Sequence, residues 1–448
     1  MRDGAASDYS TASSEARQLF LLTILVGCLC GLVAVAFQAT IHLLERLLIE
    51  RALHAEGSTW IFWTLLTPTL GGLLAGVAMT WLVPNARGSG IPQVKHALVA
   101  ADGQVRFRDA VGKFLVGSMQ IGSGASLGRE GPLVQICAGT ATLLGRLTAL
   151  PAHRLKRLTP IGIAAGMAAS FNAPIAAVTF TLEEIVGALD KTLLSGVIVA
   201  AALAAVVGRA ILGEQPIVAL DAIHGLSHPA SLLSCAVLGL IAALISVAFT
   251  RGLLATRGYF QRWRALPSWM HPAVGGLATG ALAAAALYHF GAMGVTGGGR
   301  EALGDLVNGG YTFRVLAMLC AMKAIATLLS FSSGGAGGIF TPTLVIGALL
   351  GGAVGRVDGV VLGSLSTPAE TFALVGMGAL FAGVIRAPIT SVLLVFELTG
   401  NYGLVLPLMI ANTTALMLAR KLSPLGIYDA LLAQDRRPLR DDRVLNGN

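Results

Sequence analysis

Charged residues divide this chain into long apolar stretches. No Asp, Glu, Lys or Arg occurs within Gln18–Ile41, Gly57–Ala86, Leu158–Leu182, Ala222–Thr250, Ala265–Gly299, Ala324–Gly355 or Leu398–Ala419. A helix needs about 20 consecutive apolar residues to cross the hydrocarbon core of a bilayer. The pattern predicts an all-α polytopic membrane protein. Several stretches carry Gly or Pro part-way along. Such breaks occur inside a bilayer only where the backbone is buried in protein or lines a cavity, because its freed polar groups need partners. No polar linker divides the apolar region. One membrane domain is therefore expected over 16–432, between a short N-terminal tail (1–15) and a basic C-terminal tail (433–448).

Composition agrees with this class. Of 448 residues, 55% are hydrophobic and 12% charged, about half the charged fraction of soluble domains. The net charge of +8 is spread between apolar runs and the chain ends. The expected surroundings are a lipid bilayer, with no nucleic-acid partner. Arg420, Lys421, Arg436, Arg437, Arg440 and Arg443 crowd the C-terminus, which the positive-inside tendency places in the cytoplasm. Arg2 and Arg17 suggest the same side for the N-terminus. The first apolar run is too long for a cleaved signal peptide. Cys28, Cys30, Cys137, Cys235 and Cys320 lack ligand spacing and read as small packing residues. Neither a metal nor a cofactor is expected.

The two halves of the chain repeat. "SGASLGREGP" (Ser123–Pro132) aligns without gaps on "SGGAGGIFTP" (Ser333–Pro342), and Lys113 and Lys323 precede these blocks at equal distances. Downstream, "NAPIAAVTFTLE" (Asn172–Glu183) aligns on "RAPITSVLLVFE" (Arg386–Glu397). Paired repeats with Gly/Pro-interrupted segments in corresponding positions are a transporter signature, with the binding site at the repeat interface. Repeat one is expected over about 60–210 and repeat two over about 270–420, commonly in inverted orientation.

"GREGP" sits in a stretch open to three readings. Gly124-Ala125-Ser126-Leu127-Gly128 matches a nucleophile elbow, which would make this an intramembrane serine protease. That motif needs a strand–turn–helix and a positioned His, and no His lies deep in an apolar run. A phosphate loop would need a Lys and a following hydroxyl that are missing. The third reading is an ion site. Helices that start at mid-membrane turn unpaired N–H groups and a partial charge of about +0.5 into a cavity. Glycine lets the backbone approach an ion, and Pro suits the first helical turn. "RGSGIPQV", "GREGPL" and "GGIFTPTL" all have this grammar, and together they would bind an anion weakly enough to release it.

Carboxylates among such helix starts compete with an anion and can carry a proton. Glu130 aligns with Phe340 and Glu184 with Leu398, whereas Glu183 aligns with Glu397. An acid kept in both halves suits architecture, and an unmatched one suits a one-sided task. Glu130 and Glu184 are therefore the proton candidates, and Glu183 and Arg129 the scaffold candidates.

These motifs resemble the CLC chloride channel and transporter family. Its filter elements correspond to Gly88-Ser89-Gly90-Ile91-Pro92, Gly128-Arg129-Glu130-Gly131-Pro132, Gly338-Ile339-Phe340-Thr341-Pro342 and Tyr428 of "PLGIYDALLA". The resemblance runs from about Phe20 to Gln434. It implies two inverted repeats of tilted and broken helices, about 18 in all, in a homodimer with one pathway per subunit. It also implies chloride contacts from Ser89, Tyr428 and the backbone N–H groups of Ile339 and Phe340. Glu130 would be the outer gate and proton carrier, and Glu184 the inner proton acceptor.

The same resemblance implies an H+/Cl− antiporter rather than an enzyme, with a passive channel on the same fold as the alternative. An inner acid favours exchange, and the serine of "GSGIP" matches chloride-preferring members rather than nitrate-accumulating ones. The chain departs from the bacterial exchangers after "GSGIP", where Gln93 and Lys95 stand in place of acids. The expected location is the bacterial inner membrane.

Overall fold

The computed structural model describes residues 2–50, 59–148, 150–187, 191–213, 228–307 and 310–435. Helix α1 (Arg2–Glu45) closes in a π-helical turn at Arg46–Glu50. The segment expected as an N-terminal tail, 1–15, is thus helical from Arg2 onward and continuous with α1. The basic residues Arg436, Arg437, Arg440 and Arg443 lie outside the described residues.

After α1 come α2 (Thr59–Trp81), α3 (Ile91–Ala100), α4 (Phe107–Gly122), α5 (Glu130–Leu147), α6 (Ala152–Phe171), α7 (Pro174–Phe180) and α8 (Lys191–Leu212). A second π-helical turn, Thr181–Val186, extends α7. Helix α9 (Ser231–Arg262) then leads to α10 (His271–Phe290), α11 (Arg300–Val307), α12 (Phe313–Ser332), α13 (Phe340–Leu362), α14 (Ala369–Ile385), α15 (Pro388–Thr399), α16 (Val405–Leu422) and α17 (Ile427–Gln434). Among the described residues, eight helical segments are long and apolar enough to cross a membrane. Helices α2–α8 are matched in order by α10–α16.

Pairs of reciprocal contacts join the halves. Gly128 and Gly338 exchange both backbone hydrogen bonds, each 2.7 Å, as an isolated antiparallel bridge. The two segments run in opposite directions where they meet, as inverted repeats require. The carboxylate of Glu397 accepts from Ile175 N (2.9 Å) and Ala176 N (2.6 Å) at the start of α7. In mirror fashion, Glu183 accepts from Ile389 N (3.3 Å), Thr390 N (2.9 Å) and Thr390 Oγ1 (2.8 Å) at the start of α15. Each glutamate satisfies donors that a helix start leaves without an intrahelical acceptor.

Helices α2 and α10 reveal a further repeated block, "TPTLGGLLAG" (Thr67–Gly76) against "HPAVGGLATG" (His271–Gly280). A Cβ on Gly72 would collide with Pro272 O, and one on Gly276 with Pro68 O. These glycines let the two helices touch backbone to backbone, the usual means of close packing where lipid competes for apolar contact.

The helices break where the pattern predicted, for local reasons. Helix α6 ends on Asn172 at φ 54° and α14 on the equivalent Arg386 at φ 76°. A non-glycine residue rarely adopts a left-handed conformation, and side-chain contacts accompany both. Asn172 Oδ1 accepts from Arg209 Nε at 2.6 Å, and Arg386 Nη2 donates to Ala419 O and Ser423 O, each at 2.9 Å. The following prolines, Pro174 and Pro388, then open α7 and α15.

Breaking either reciprocal cap should destabilise the repeat interface. Glu183→Ala and Glu397→Ala are each expected to cost about 2 kcal/mol, the scale for hydrogen bonds to a charged group. A lowered thermal unfolding midpoint in detergent checks this.

Candidate functional site

Three of the predicted helix starts occur as read: α3 begins at Ile91, α5 at Glu130 and α13 at Phe340. Glycines bring them together. A Cβ on Gly131 would lie 2.5 Å from Ser89 Oγ and 3.1 Å from the Cα of Gly338. All three glycine-rich motifs thus meet around the Gly128–Gly338 bridge. Gly90 caps α3 at φ 100°, a conformation that demands glycine. Its N–H donates to Gln93 Oε1 at 2.8 Å, while Gln93 Nε2 donates to Arg87 O at 2.9 Å. Gln93 therefore locks the turn that presents Ser89.

Two buried lysines hold the backbone loops beside this crossing. Lys113 Nζ donates to Ala86 O (2.8 Å) and to Gly88 O. Lys323 Nζ donates to Val295 O (3.0 Å), Thr296 O (3.2 Å) and Gly297 O (2.8 Å). Each ammonium gathers carbonyl oxygens, so the repeated lysine serves the scaffold. Their carbonyls point at the ammonium, away from anything an anion would approach.

The side chains at the crossing are fully enclosed. Ser89 and Tyr428 are each 0% exposed and Glu130 2% exposed. Ser89 Oγ, Tyr428 OH, Thr341 Oγ1 and Glu130 Oε2 have no protein partner, which is uncommon for buried polar atoms. Phe340 is clamped by Phe381 (4.6 Å between ring centroids), Phe171 (4.9 Å) and Phe180 (5.5 Å). This cage fixes the first turn of α13, whose opening N–H groups have no intrahelical acceptor.

Glu130 folds back over the bridge. Its Oε2 lies 2.6 Å from where a Gly128 Cβ would be, so a side chain there would compete with the carboxylate for this position. Its Oε1 is 3.7 Å from Arg129 Nε, and Arg129 Nη2 donates to Ser170 O at 3.0 Å. Arg129 thus ties the end of α6 to the motif, as a scaffold residue should, and it also faces the carboxylate.

Cavities approach the crossing from two directions. One of about 890 Å³ is lined by Arg87, Gly88, Gln93, His96, Arg106 and Arg257, among others. The other, about 470 Å³, is lined by Arg46, Arg129, Arg209 and Arg300 together with Ser170 and Asn172. The first reaches the residue before Ser89, and the second reaches the residue before Glu130. The second cavity, with four arginines and no acid in its lining, attracts anions, whereas in the first Arg87, Arg106 and Arg257 share the lining with Asp109 and Asp435.

Glu184 stands apart from the crossing, in the π-helical turn after α7, and is 8% exposed. Lys95 Nζ donates to Glu184 Oε1 at 2.7 Å and to Asp429 Oδ1 at 2.6 Å. Tyr428 lies within electrostatic reach of both Glu130 and Glu184. Asp429 escaped the sequence reading; its position directly after Tyr428 was the available signal. Ser126, the formal elbow serine, is buried with its Oγ 3.0 Å from Thr327 Oγ1, while its N–H donates to Ser330 Oγ. No histidine is among these partners. No group of three or more metal-ligating residues occurs among the described residues.

Known proteins resemble this arrangement over nearly the whole chain. The sequence profile described as voltage gated chloride channel matches residues 71–420. An H(+)/Cl(−) exchange transporter ClcA of Vibrio campbellii is 34% identical over 432 residues, covering 95% of this chain and 90% of that protein. The ClcA exchanger of Salmonella paratyphi A is also 34% identical, over 93% of this chain and 88% of that protein. A slow cyanobacterial Cl−/H+ antiporter shares the fold with a TM-score of 0.84 and 26% identity, covering 93% of this chain and 97% of that one. A CLC-type fluoride/proton antiporter shares it with a TM-score of 0.75 at 23% identity, over 92% of this chain and 97% of that one.

Gly131→Ala should drive a methyl group into Ser89 and misplace the crossing. Overpacking of this kind costs about 1–3 kcal/mol, so halide affinity measured by calorimetry should fall about tenfold. Ser126→Ala should leave halide affinity within about twofold, because it removes only one neutral hydrogen bond of about 1 kcal/mol, outside the crossing.

Proposed function

The chain belongs to the voltage-gated chloride channel family, and from that premise we propose that it exchanges chloride for protons across a bacterial inner membrane. Chloride is the cargo. The proposed path runs between the two cavities through the crossing of α3, α5 and α13. There Ser89 and Tyr428 contribute hydroxyl donors, and Ile339 and Phe340 contribute backbone N–H groups at a positive helix start. Donors of this kind hold an anion without pairing it to a full positive charge, so the ion can leave.

The observation that carries the reading is Glu130. A carboxylate that is 2% exposed, with one oxygen lacking any partner, stands where the helix starts would hold an anion. Ionised, it occupies the anion's place. Protonated, it loses its attraction for the helix starts and swings toward the cavity lined by Arg129, opening the path. One group therefore excludes chloride and carries a proton in alternation.

Glu184 is the proposed acceptor on the other side, beside Lys95 and the half-exposed Asp429. Both carboxylates act electrostatically on Tyr428, and in this reading the proton and chloride routes share Glu130 and separate toward Glu184. A homodimer with an independent pathway in each subunit accompanies this reading, as does a cytoplasmic location for both termini.

Reconstituted vesicles test the exchange directly. An imposed chloride gradient should drive protons against their own gradient, and a passive channel would move none. Glu130→Ala should leave chloride flux passive and independent of pH. Glu184→Gln should reduce proton movement at least about 100-fold, the scale for losing a positioned proton-transfer group, while chloride still passes. Simultaneous loss of both fluxes would assign Glu184 to structure instead.

A further inference from the structure

We infer that Lys95 and Asp429 are positioning residues that set when Glu184 accepts its proton. The inference rests on the exchange reading above and concerns two side chains that reading does not use. Lys95 is 7% exposed and bridges two carboxylates, Glu184 Oε1 at 2.7 Å and Asp429 Oδ1 at 2.6 Å. The side chain of Glu184 is 9% exposed, whereas that of Asp429 is 37% exposed. The triad therefore has an enclosed end at Glu184 and an open end at Asp429.

The arrangement has a definite charge logic. With both carboxylates ionised, one ammonium and two carboxylates sum to −1. Proton uptake by Glu184 brings the enclosed triad to neutrality. Without Asp429, the Lys95–Glu184 pair would be neutral, and the same proton would leave an uncompensated buried cation. Without Lys95, the two carboxylates would face each other, and a proton would relieve their repulsion. Buried uncompensated charge is costly in either case. Lys95 holds Glu184 ionised until a proton arrives, and Asp429 limits how strongly it does so.

Other charged groups around Glu184 do not take over this role. Glu183, its neighbour on the same turn, is committed to the backbone of Ile389 and Thr390. Tyr428, on α17, presents a neutral hydroxyl. The elements that deliver Lys95 and Asp429 also carry the anion-site residues Ser89 and Tyr428. Helix α3 carries Lys95 six residues after Ser89, and α17 carries Asp429 directly after Tyr428. A shift of either helix at the anion site therefore moves a charge beside Glu184.

The test is the pH dependence of the proton-to-chloride flux ratio, with purified full-length protein in phosphatidylethanolamine/phosphatidylglycerol vesicles. Lys95→Met should move the midpoint about one unit toward alkaline pH, and Asp429→Asn about one unit toward acid pH, the scale for adding or removing one close charge. Misfolding cannot produce shifts of opposite sign, and chloride affinity on the same preparations reports an intact fold. Midpoints that stay put, or that move the same way, overturn the inference. Should Lys95→Met yield no protein, Asp429→Asn against Asp429→Glu decides, since only the former loses charge and only it should shift. A wild-type protein that moves no protons would instead overturn the exchange reading.

Discussion

Everything in this structure depends on satisfying backbone polar groups where helices stop inside a membrane domain. Gly128 and Gly338 solve the problem by pairing with each other, each giving one N–H and taking one at 2.7 Å. Lipid offers no hydrogen bonds, so interrupted helices there must find partners in protein. Pairing the two breaks against one another removes them from lipid and brings two helix starts, α5 and α13, to one place. A third, α3, joins through Gly90 and Gly131. The site is thus a by-product of how the fold accommodates its broken helices.

Two buried lysines and two half-buried glutamates follow the same rule. Lys113 and Lys323 collect loop carbonyls, and Glu183 and Glu397 collect helix-start N–H groups across the repeat interface. Each cation meets oxygens and each anion meets donors, so ions that would be costly alone are compensated. These four groups are repeated because the demand is repeated: every interrupted helix has the same unsatisfied groups at its ends.

Function enters where the halves differ. Glu130 faces Phe340 in the alignment, and Glu184 faces Leu398. The Phe340 ring is locked in a phenylalanine cage that fixes α13, whereas one carboxylate oxygen of Glu130 has no protein partner. Glu184 is likewise one-sided, and its triad with Lys95 and Asp429 has no equivalent in the second repeat. The repeated groups satisfy the backbone, and the carboxylates without a repeat partner are the ones the proposed proton coupling uses.

Much of this was legible in the residues. The apolar stretches, the Gly/Pro breaks, the paired blocks and the starts of α3, α5 and α13 all rest on local causes: bilayer thickness, helix geometry and the lost N–H of proline. The division of Glu183 from Glu184 followed from the repeat alone. The α2–α10 block was also present in the sequence, as a shared spacing of Pro and Gly, but small apolar residues gave it little contrast.

Partnerships between distant side chains were not legible. Lys95 meets Glu184 and Asp429 across separations of 89 and 334 residues, and nothing near Lys95 in sequence names either acid. The sequence by itself determined which segments are helices, where they break and which residues lack a repeat partner. Only the tertiary structure decided which buried charge neutralises which, because that depends on the angles at which separately formed helices pack.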